Sequence, residues 1–395
     1  MIRHWTVGQL DIGLLDIGLL DIGLLDIRQK LESGPTVQCP TVQCPTVECP
    51  TVQCPTVQCP TVQCLAVQCP KMSILQKIEN QEVLIVGDVM IDRYLRGSVS
   101  RISPEAPVPV VLEKSIEERL GGAANVALNI QALRSHAFLC SVIGDDADGA
   151  KFLGELNAHK LSSIGIYASS NRCTTVKTRI LGNHQQMLRI DREDTHDLNA
   201  EEEDALIDRV LSVIDQEPIK VIILQDYNKG VLTERVIQSI LKEAGQRGIF
   251  TAVDPKKANF FAYKGVNLFK PNLKEVRESS PFPVSPDAAS LQKASDFLRE
   301  KLNNQYTMLT LSEKGLFLDG GSGGKCYPTT PRNISDVSGA GDTVISIAAM
   351  GLAAGLDLET VAMLSNLAGG QVCEVPGVVP VDRNRLEKEL SSANA

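Results

Sequence analysis

No apolar run in this 395-residue chain reaches the roughly 18 residues that a membrane-spanning helix needs. A basic excess is also missing. The formal net charge is −9, which argues against a nucleic-acid surface, where a basic stripe is the usual footprint. Aromatic residues make up only 4%, and the single Trp is Trp5. A disulfide framework is lacking as well, because seven of the 11 cysteines fall in one repetitive stretch. Cys140, Cys173, Cys326 and Cys373 are scattered singly, as expected of core thiols in a reducing cytoplasm. What is present, 43% hydrophobic and 22% charged residues, is globular composition sufficient for one large α/β domain or two small ones.

The first 71 residues are a different kind of sequence. Residues 10–27 repeat Leu-Asp-Ile-Gly-Leu, and residues 36–69 repeat Pro-Thr-Val-Gln-Cys, each with a period of five. Five matches neither a helical face nor a strand face. The genetic code accounts for it better. The unit GGA CTG TTG GAC ATT encodes Gly-Leu-Leu-Asp-Ile, and its reverse complement, read as TGT CCA ACA GTC CAA, encodes Cys-Pro-Thr-Val-Gln. A third frame of the forward unit yields Gly-His-Trp-Thr-Val, and His4-Trp5-Thr6-Val7 stands near the start. Residues 1–71 are therefore expected to translate an inverted tandem DNA repeat upstream of the gene, or to be disordered, with Met72 as the initiator. Unrelated codons in the DNA would sink this reading, and N-terminal peptide mapping tests the start. The alternative, a cysteine-rich metal or disulfide segment, lacks His partners and paired Cys-x-x-Cys spacing. The acidic residues spread through the apolar part exclude a signal peptide.

Residues 72–395 read as one domain. Short β-branched runs at 83–87, 138–143, 221–224, 248–253 and 306–311 predict buried parallel strands. Helical patterns at 125–133, 150–156, 201–213, 233–246, 288–302, 343–354 and 360–374 alternate with them. That alternation predicts an α/β fold, a parallel sheet covered on both faces. Two segments break the rhythm: a Pro-rich stretch at 93–120 and alternating residues at 172–192 around Gly182-Asn183, the latter a β-hairpin pattern. Together they are expected to form a small sheet acting as a lid.

Five constellations carry chemistry. In Asp336-Val337-Ser338-Gly339-Ala340-Gly341-Asp342-Thr343, small residues precede a helical run, so backbone N–H groups and the helix N-terminus can hold an anion. Asp342, in the first turn, can accept a proton from an attacking hydroxyl. Gly87 to Asp92 sets carboxylates at the end of the first strand, where Asp92 either holds sugar hydroxyls or caps a turn. Gly121-Gly122-Ala123-Ala124-Asn125 permits close approach of a polyol, with Asn125 as ligand or N-cap. Asn272 and Glu275 share a helical face and suit either the water shell of Mg²⁺ or a capping box. Thr310 to Gly315 ends a strand in a polar turn that can meet phosphate or ribose.

The two glycine signatures, with Asn272-x-x-Glu275 between them, resemble the motifs of the ribokinase-like (PfkB) carbohydrate kinases over residues 74–385. Residues 87–94, 100–110 and 117–127 are similar to the heptose 7-phosphate kinases of that family. This resemblance implies a three-layer α/β/α sandwich with a β lid. The implied reaction is ATP-dependent phosphorylation of D-glycero-β-D-manno-heptose 7-phosphate at O1, on the way to ADP-heptose. It makes Asp342 the base and Gly339, Ala340 and Gly341 the anion hole. Asp92, Gly121, Gly122 and Asn125 would hold the sugar. Asn272 and Glu275 would organise Mg²⁺, and Ser312, Gly315 and Asn366 would lie along the nucleotide. Arg101, Lys177 and Arg189 are candidates for the substrate phosphate. Activation by a monovalent cation and a homodimer formed through the lid are further expectations. So is a monofunctional enzyme, since no His-x-Gly-His motif of an adenylyltransferase is present. Val337 departs from the Thr or Ser common at its place, where neither base nor anion hole requires a hydroxyl. The rivals are a family kinase of another sugar, sugar phosphate or nucleoside, and a non-catalytic sugar-phosphate sensor on the same fold.

Overall fold

The computed structural model describes residues 73–393 except His184; the repeat segment expected at 1–71 lies outside the described residues. The chain enters the main sheet with β1 (Glu82–Gly87) and leaves it at once in a hairpin of two long strands, β2 (Val89–Ile102) and β3 (Pro109–Gly122). It returns in α1 (Ala123–Ala132), β4 (His136–Gly144), α2 (Ala147–Ala158) and β5 (Ile166–Ser169). A second hairpin, β6 (Val176–Gly182) and β7 (Gln185–Arg192), departs again. Then come α3 (Ala200–Gln216), β8 (Val221–Gln225), α4 (Glu234–Arg247), β9 (Phe250–Asp254) and β10 (Leu268–Phe269). They are followed by α5 (Leu273–Ser279), α6 (Ala288–Leu302), β11 (Tyr306–Thr310), β12 (Leu316–Asp319) and β13 (Lys325–Tyr327). The last described elements are α7 (Ala340–Ala353), α8 (Leu358–Cys373) and α9 (Arg383–Ala393).

The main sheet runs β13-β12-β11-β10-β9-β8-β1-β4-β5 and is parallel except at β12 and β13. Pleating sends alternate residues of β1 to opposite faces. Val83 and Ile85 join a core with Val126, Ile130, Ile345 and Leu364. Leu84 and Val86 join a second core with Leu206, Ile237 and Leu298. One apolar run thus feeds two cores, and the result is a three-layer sandwich. No helix among the described residues is long and apolar enough to cross a membrane.

Two boundaries differ from expectation for a stated reason. Gly248, expected in a strand, adopts φ 66° as the left-handed cap of α4, so β9 starts at Phe250. Helix α7 begins at Ala340 rather than Thr343, after Gly339 turns at φ 81°. The short strands β5, β10, β12 and β13 were not foreseen; at two to four residues they leave no periodicity to read.

The second sheet has the order β3-β2-β6-β7. Its cross-strand rows separate two faces. One row aligns Ile116, Leu95, Ile180 and Leu188. The neighbouring rows align Arg119, Asp92, Lys177 and Asp191, and Glu117, Tyr94, Arg179 and Arg189. Asp92 and Tyr94 are buried, so this charged face meets the main domain. The apolar row lies on the opposite face, where Ile116 is 51% and Leu188 55% exposed.

Candidate active site

In a parallel sheet with helices on both faces, residues at the carboxyl ends of the strands open onto a common crevice. Here Gly87, Gln225 and Asp254 are in register across β1, β8 and β9. Lys270 follows β10 directly, and its N–H donates to Val253 O (2.9 Å). Two helix N-termini converge on the same point. Among the described residues seven helices are capped by side chains, those of Asp146, Asn199, Thr233, Asn272, Asp287, Asp357 and Asp382. Helices α1 and α7, preceded by Gly122 and Gly339, have no side-chain cap. Ala123 N–H donates to Asp88 O (2.9 Å) and Ala340 N–H to Val337 O (3.4 Å); the other first-turn N–H groups are left for another acceptor, and with the macrodipole they favour an anion. Asn125 on α1 and Asp342 on α7 join the two ends by an Nδ2-to-Oδ2 hydrogen bond of 2.8 Å.

Asp342 is the centre of the cluster. Its side chain is buried. Oδ1 accepts hydrogen bonds from Tyr227 OH (2.7 Å) and Gln225 Nε2 (3.1 Å). Burial pushes the carboxyl up to about 6, against the pull of the Asn125 and Tyr227 hydrogen bonds. Asp254 lies alongside, with Lys270 Nζ at 3.0 Å and Lys256 Nζ at 3.5 Å. Burial raises Asp254 too, but the two lysines outweigh it and hold the group below the usual carboxylate range. Asp88 accepts three backbone N–H bonds, from Tyr227 (2.6 Å), Lys229 (3.1 Å) and Val231 (3.2 Å). Burial, with Asp226 adding repulsion, nevertheless pushes Asp88 up to about 6.

Gly121, Gly122 and Gly339 leave no room for a side chain. A Cβ on Gly121 would lie 2.2 Å from Asp92 Oδ2, and one on Gly339 2.8 Å from Asn125 Nδ2. A Cβ on Gly341 would sit 3.5 Å from Asp254 Oδ2 and 3.8 Å from Lys270 Nζ, so the anion loop lies over that ion pair. Asp92, Gly121, Gly122, Asn125, Gly339, Ala340, Gly341 and Asp342 are thereby brought together.

The other expected residues fall elsewhere. Asn272 and Glu275 close a reciprocal capping box on α5, and Glu275 Oε1 also takes Lys256 Nζ at 2.7 Å. Their oxygens are hard donors suited to Mg²⁺ held through its waters. Among the described residues no three His, Cys, Asp or Glu side chains form a metal cage. Ser312 (φ 54°) and Gly315 (φ 86°) flank the turn after β11. Gly315 packs on Tyr327 O, which also accepts from Asn366 Nδ2 at 3.0 Å, so these three residues border one strand end. Of the basic candidates, Lys177 pairs with Asp191 (3.4 Å) and Glu193 (3.2 Å), and the exposed Arg189 pairs with Asp191 (2.9 Å). Arg101 is exposed near the end of β2, about 30 Å along the strand from Asp92 at ~3.3 Å per residue. The cation that does meet Asp92 is Arg179, through Nη1. Sequence reasoning missed Arg179, Gln225, Tyr227 and Asp254. For Gln225 and Asp254 the signal was available, since each is the polar residue that ends a buried apolar run.

Comparison with known proteins fits this geometry. Residues 80–383 match the pfkB family carbohydrate kinase description. The chain is 44% identical over 310 residues to the bifunctional protein HldE of Methylobacillus flagellatus, an alignment covering 78% of this chain and 63% of that protein. It thus spans less than two thirds of that relative's length. The fold superposes on Escherichia coli phosphofructokinase-2 in complex with potassium, with a TM-score of 0.66, 17% identity, and coverage of 79% and 99% of the two chains. Arabidopsis thaliana ribokinase complexed with ribose and ATP gives a TM-score of 0.60 at 16% identity, covering 78% and 99%. With the glycine loops, the carboxylate at their junction and the sheet order all in agreement, the chain belongs to the pfkB family of carbohydrate kinases.

Proposed function

We propose that the protein transfers the γ-phosphoryl group of ATP to O1 of D-glycero-β-D-manno-heptose 7-phosphate. The observation that carries this reading is the buried Asp342 carboxylate at the meeting point of two uncapped helix N-termini. Asp342 accepts the proton of the attacking hydroxyl as the oxygen bonds to phosphorus. The N–H groups of Gly339 to Gly341 face the oxygens of the transferring group, preset for the charge that develops there. Asp92, Gly121, Gly122 and Asn125 orient the sugar. Ser312, Gly315 and Asn366 border the nucleotide. Asn272 and Glu275 hold the waters of Mg²⁺, which when bound neutralises phosphate charge. Homology to HldE over the kinase region supports the heptose substrate. The charged face of the lid adds Arg119, Lys177, Arg179 and Arg189, each paired here with a carboxylate, as cations for which a substrate's own phosphate would compete.

The lid also supports a homodimer. Its outer apolar row of Ile116, Leu95, Ile180 and Leu188 is the kind of surface a second copy covers. Residues 72–395 form the kinase unit in this reading, working in the cytoplasm. The deciding experiment is ADP release by the full chain with D-glycero-D-manno-heptose 7-phosphate against fructose 6-phosphate, fructose 1-phosphate and ribose. Strong preference for the heptose supports the assignment. Preference for another sugar keeps the family and moves the substrate, and no turnover on any sugar refutes the kinase reading.

A further inference from the structure

The two oxygens of Asp342 are not equivalent. An ionised carboxylate oxygen offers two lone pairs in its plane. Oδ1 uses both, one for Tyr227 OH at 2.7 Å and one for Gln225 Nε2 at 3.1 Å. Oδ2 uses one, for Asn125 Nδ2 at 2.8 Å. The Gln225 amide cannot turn over without cost. Its Nε2 also donates to Asp254 Oδ2 at 3.2 Å, so it bridges two carboxylates, and a flip would aim Oε1 at both. The present orientation leaves Oε1 buried without a partner, a penalty accepted because both neighbours are acceptors. Tyr227 is held just as firmly. Its N–H donates to Asp88 Oδ2, and Asp88 also gathers the Lys229 and Val231 N–H groups, pinning the whole turn after β8. The Lys256 ammonium stands 5.5 Å from the ring centroid.

We propose that Tyr227, supported by Gln225, is a positioning residue that saturates Asp342 Oδ1 and so makes Oδ2 the atom that takes the substrate proton. The step balances. The sugar O–H bond breaks, its proton goes to Oδ2, and the oxygen's electron pair forms the bond to the γ-phosphorus of ATP. The bond from that phosphorus to the β–γ bridging oxygen breaks, and ADP leaves with the electron pair. This rests on the phosphotransfer reading above. Nothing in the sequence motifs singled out Tyr227, since it lies outside both glycine signatures.

The charged groups facing the pair come from two strand ends and the lid. Asp254 ends β9 and Lys256 lies just beyond it, Lys270 follows β10, and Asp92 stands on β2. Asp254 repels the ionised Asp342, whereas Lys270 and the tyrosine hydroxyl favour it. Burial and Asp342 itself push the Tyr227 hydroxyl well above its ordinary value, so it stays a donor throughout the working range. Removing that donor takes away a hydrogen bond made to the charged form, and the carboxyl moves up.

Tyr227→Phe keeps the ring and deletes the hydroxyl. The test is a carboxyl-carbon NMR titration of ¹³C-aspartate-labelled full-length protein, with the Asp342 signal identified by its loss in Asp342→Asn. The Asp342 midpoint is expected to rise by about one unit, a tenfold change in proton affinity. An unmoved midpoint in a variant with a wild-type melting curve overturns the proposal. Neutron diffraction below the midpoint should place the deuteron on Oδ2, and a deuteron on Oδ1 overturns it equally. Both readouts use the free protein, so they stand apart from the substrate panel. In turnover, the acid limb of the kcat/KM profile should shift up by the same amount, which loss of packing alone would not produce.

Discussion

Asp342→Asn should silence the enzyme and steady the fold at the same time. The buried carboxyl sits at about 6 against an ordinary 3.8. At about 1.4 kcal/mol per unit, keeping it ionised in the folded state costs about 3 kcal/mol. The sign follows from the raised value. The cost is fully present above the folded midpoint, shrinks as pH falls through 6, and disappears below the unfolded value near 4. An asparagine removes the charge. One mismatch remains, because its amide nitrogen meets either the Asn125 amide or the Tyr227 and Gln225 donors, and such a mismatch costs about 1 kcal/mol. A net gain of about 2 kcal/mol raises the melting temperature by a few degrees at alkaline pH. Differential scanning fluorimetry at pH 8 and pH 5 should show the advantage only at the higher pH. A coupled ADP assay should show turnover lower by about 10² to 10⁴, the usual worth of a general base, while calorimetry shows ATP still bound. Retained turnover would refute the assigned base. A variant equally destabilised at both pH values would refute the electrostatic argument.

Other outcomes follow from the same geometry. Gly339→Ala adds a Cβ 2.8 Å from Asn125 Nδ2 at φ 81°, so it should lose activity and about 1–2 kcal/mol of stability by thermal melt. Arg179→Met leaves the buried Asp92 without its cation and should raise KM for the sugar phosphate at least tenfold, with a smaller effect on kcat, in steady-state assays. Ile116→Asp with Leu188→Asp places charges in the outer lid row, and sedimentation velocity should then report monomers. Chelation with EDTA should stop ADP release and Mg²⁺ restore it, with Glu275→Gln requiring more Mg²⁺ than the wild type.

Local signals were the readable ones. The glycine turn before Asp342 and the one before Asn125 are short, and their meaning is carried by residues adjacent in the chain. The alternating strands and helices were legible because each apolar run is buried on both faces, as β1 shows by splitting Val83 and Leu84 between two cores. The walls of the site were harder. Gln225 and Asp254 become neighbours only when β8 and β9 pair in parallel register. Tyr227 reaches Asp342 only because Asp88, more than a hundred residues away in sequence, grips its backbone. In the lid, alternation put Lys177 and Arg179 on one face without saying which would meet Asp92. Strand pairing sets Lys177 opposite Asp191, and the ion pair it makes there leaves Arg179 for Asp92. Of the two meanings open to Asn272 and Glu275, the capping box is the one formed, with Glu275 Oε1 also taken by Lys256.

The β2–β3 hairpin departs from the main sheet at Asp88, the residue after β1, and rejoins it at Gly122, the residue before α1. Neither end has slack. A cover tied this tightly behaves as a lever rather than a flap, because any tilt of its tip turns the residues at its root, and those roots are Asp92 and Gly121, the positions proposed to hold the sugar. In the proposed reaction, that linkage would tie closure of the cover to arrival of the sugar and so guard ATP against idle hydrolysis. Chain length added at the tip, around residues 103–108, leaves that linkage intact, whereas a single residue inserted at 88 or 122 uncouples the arm from its pivot.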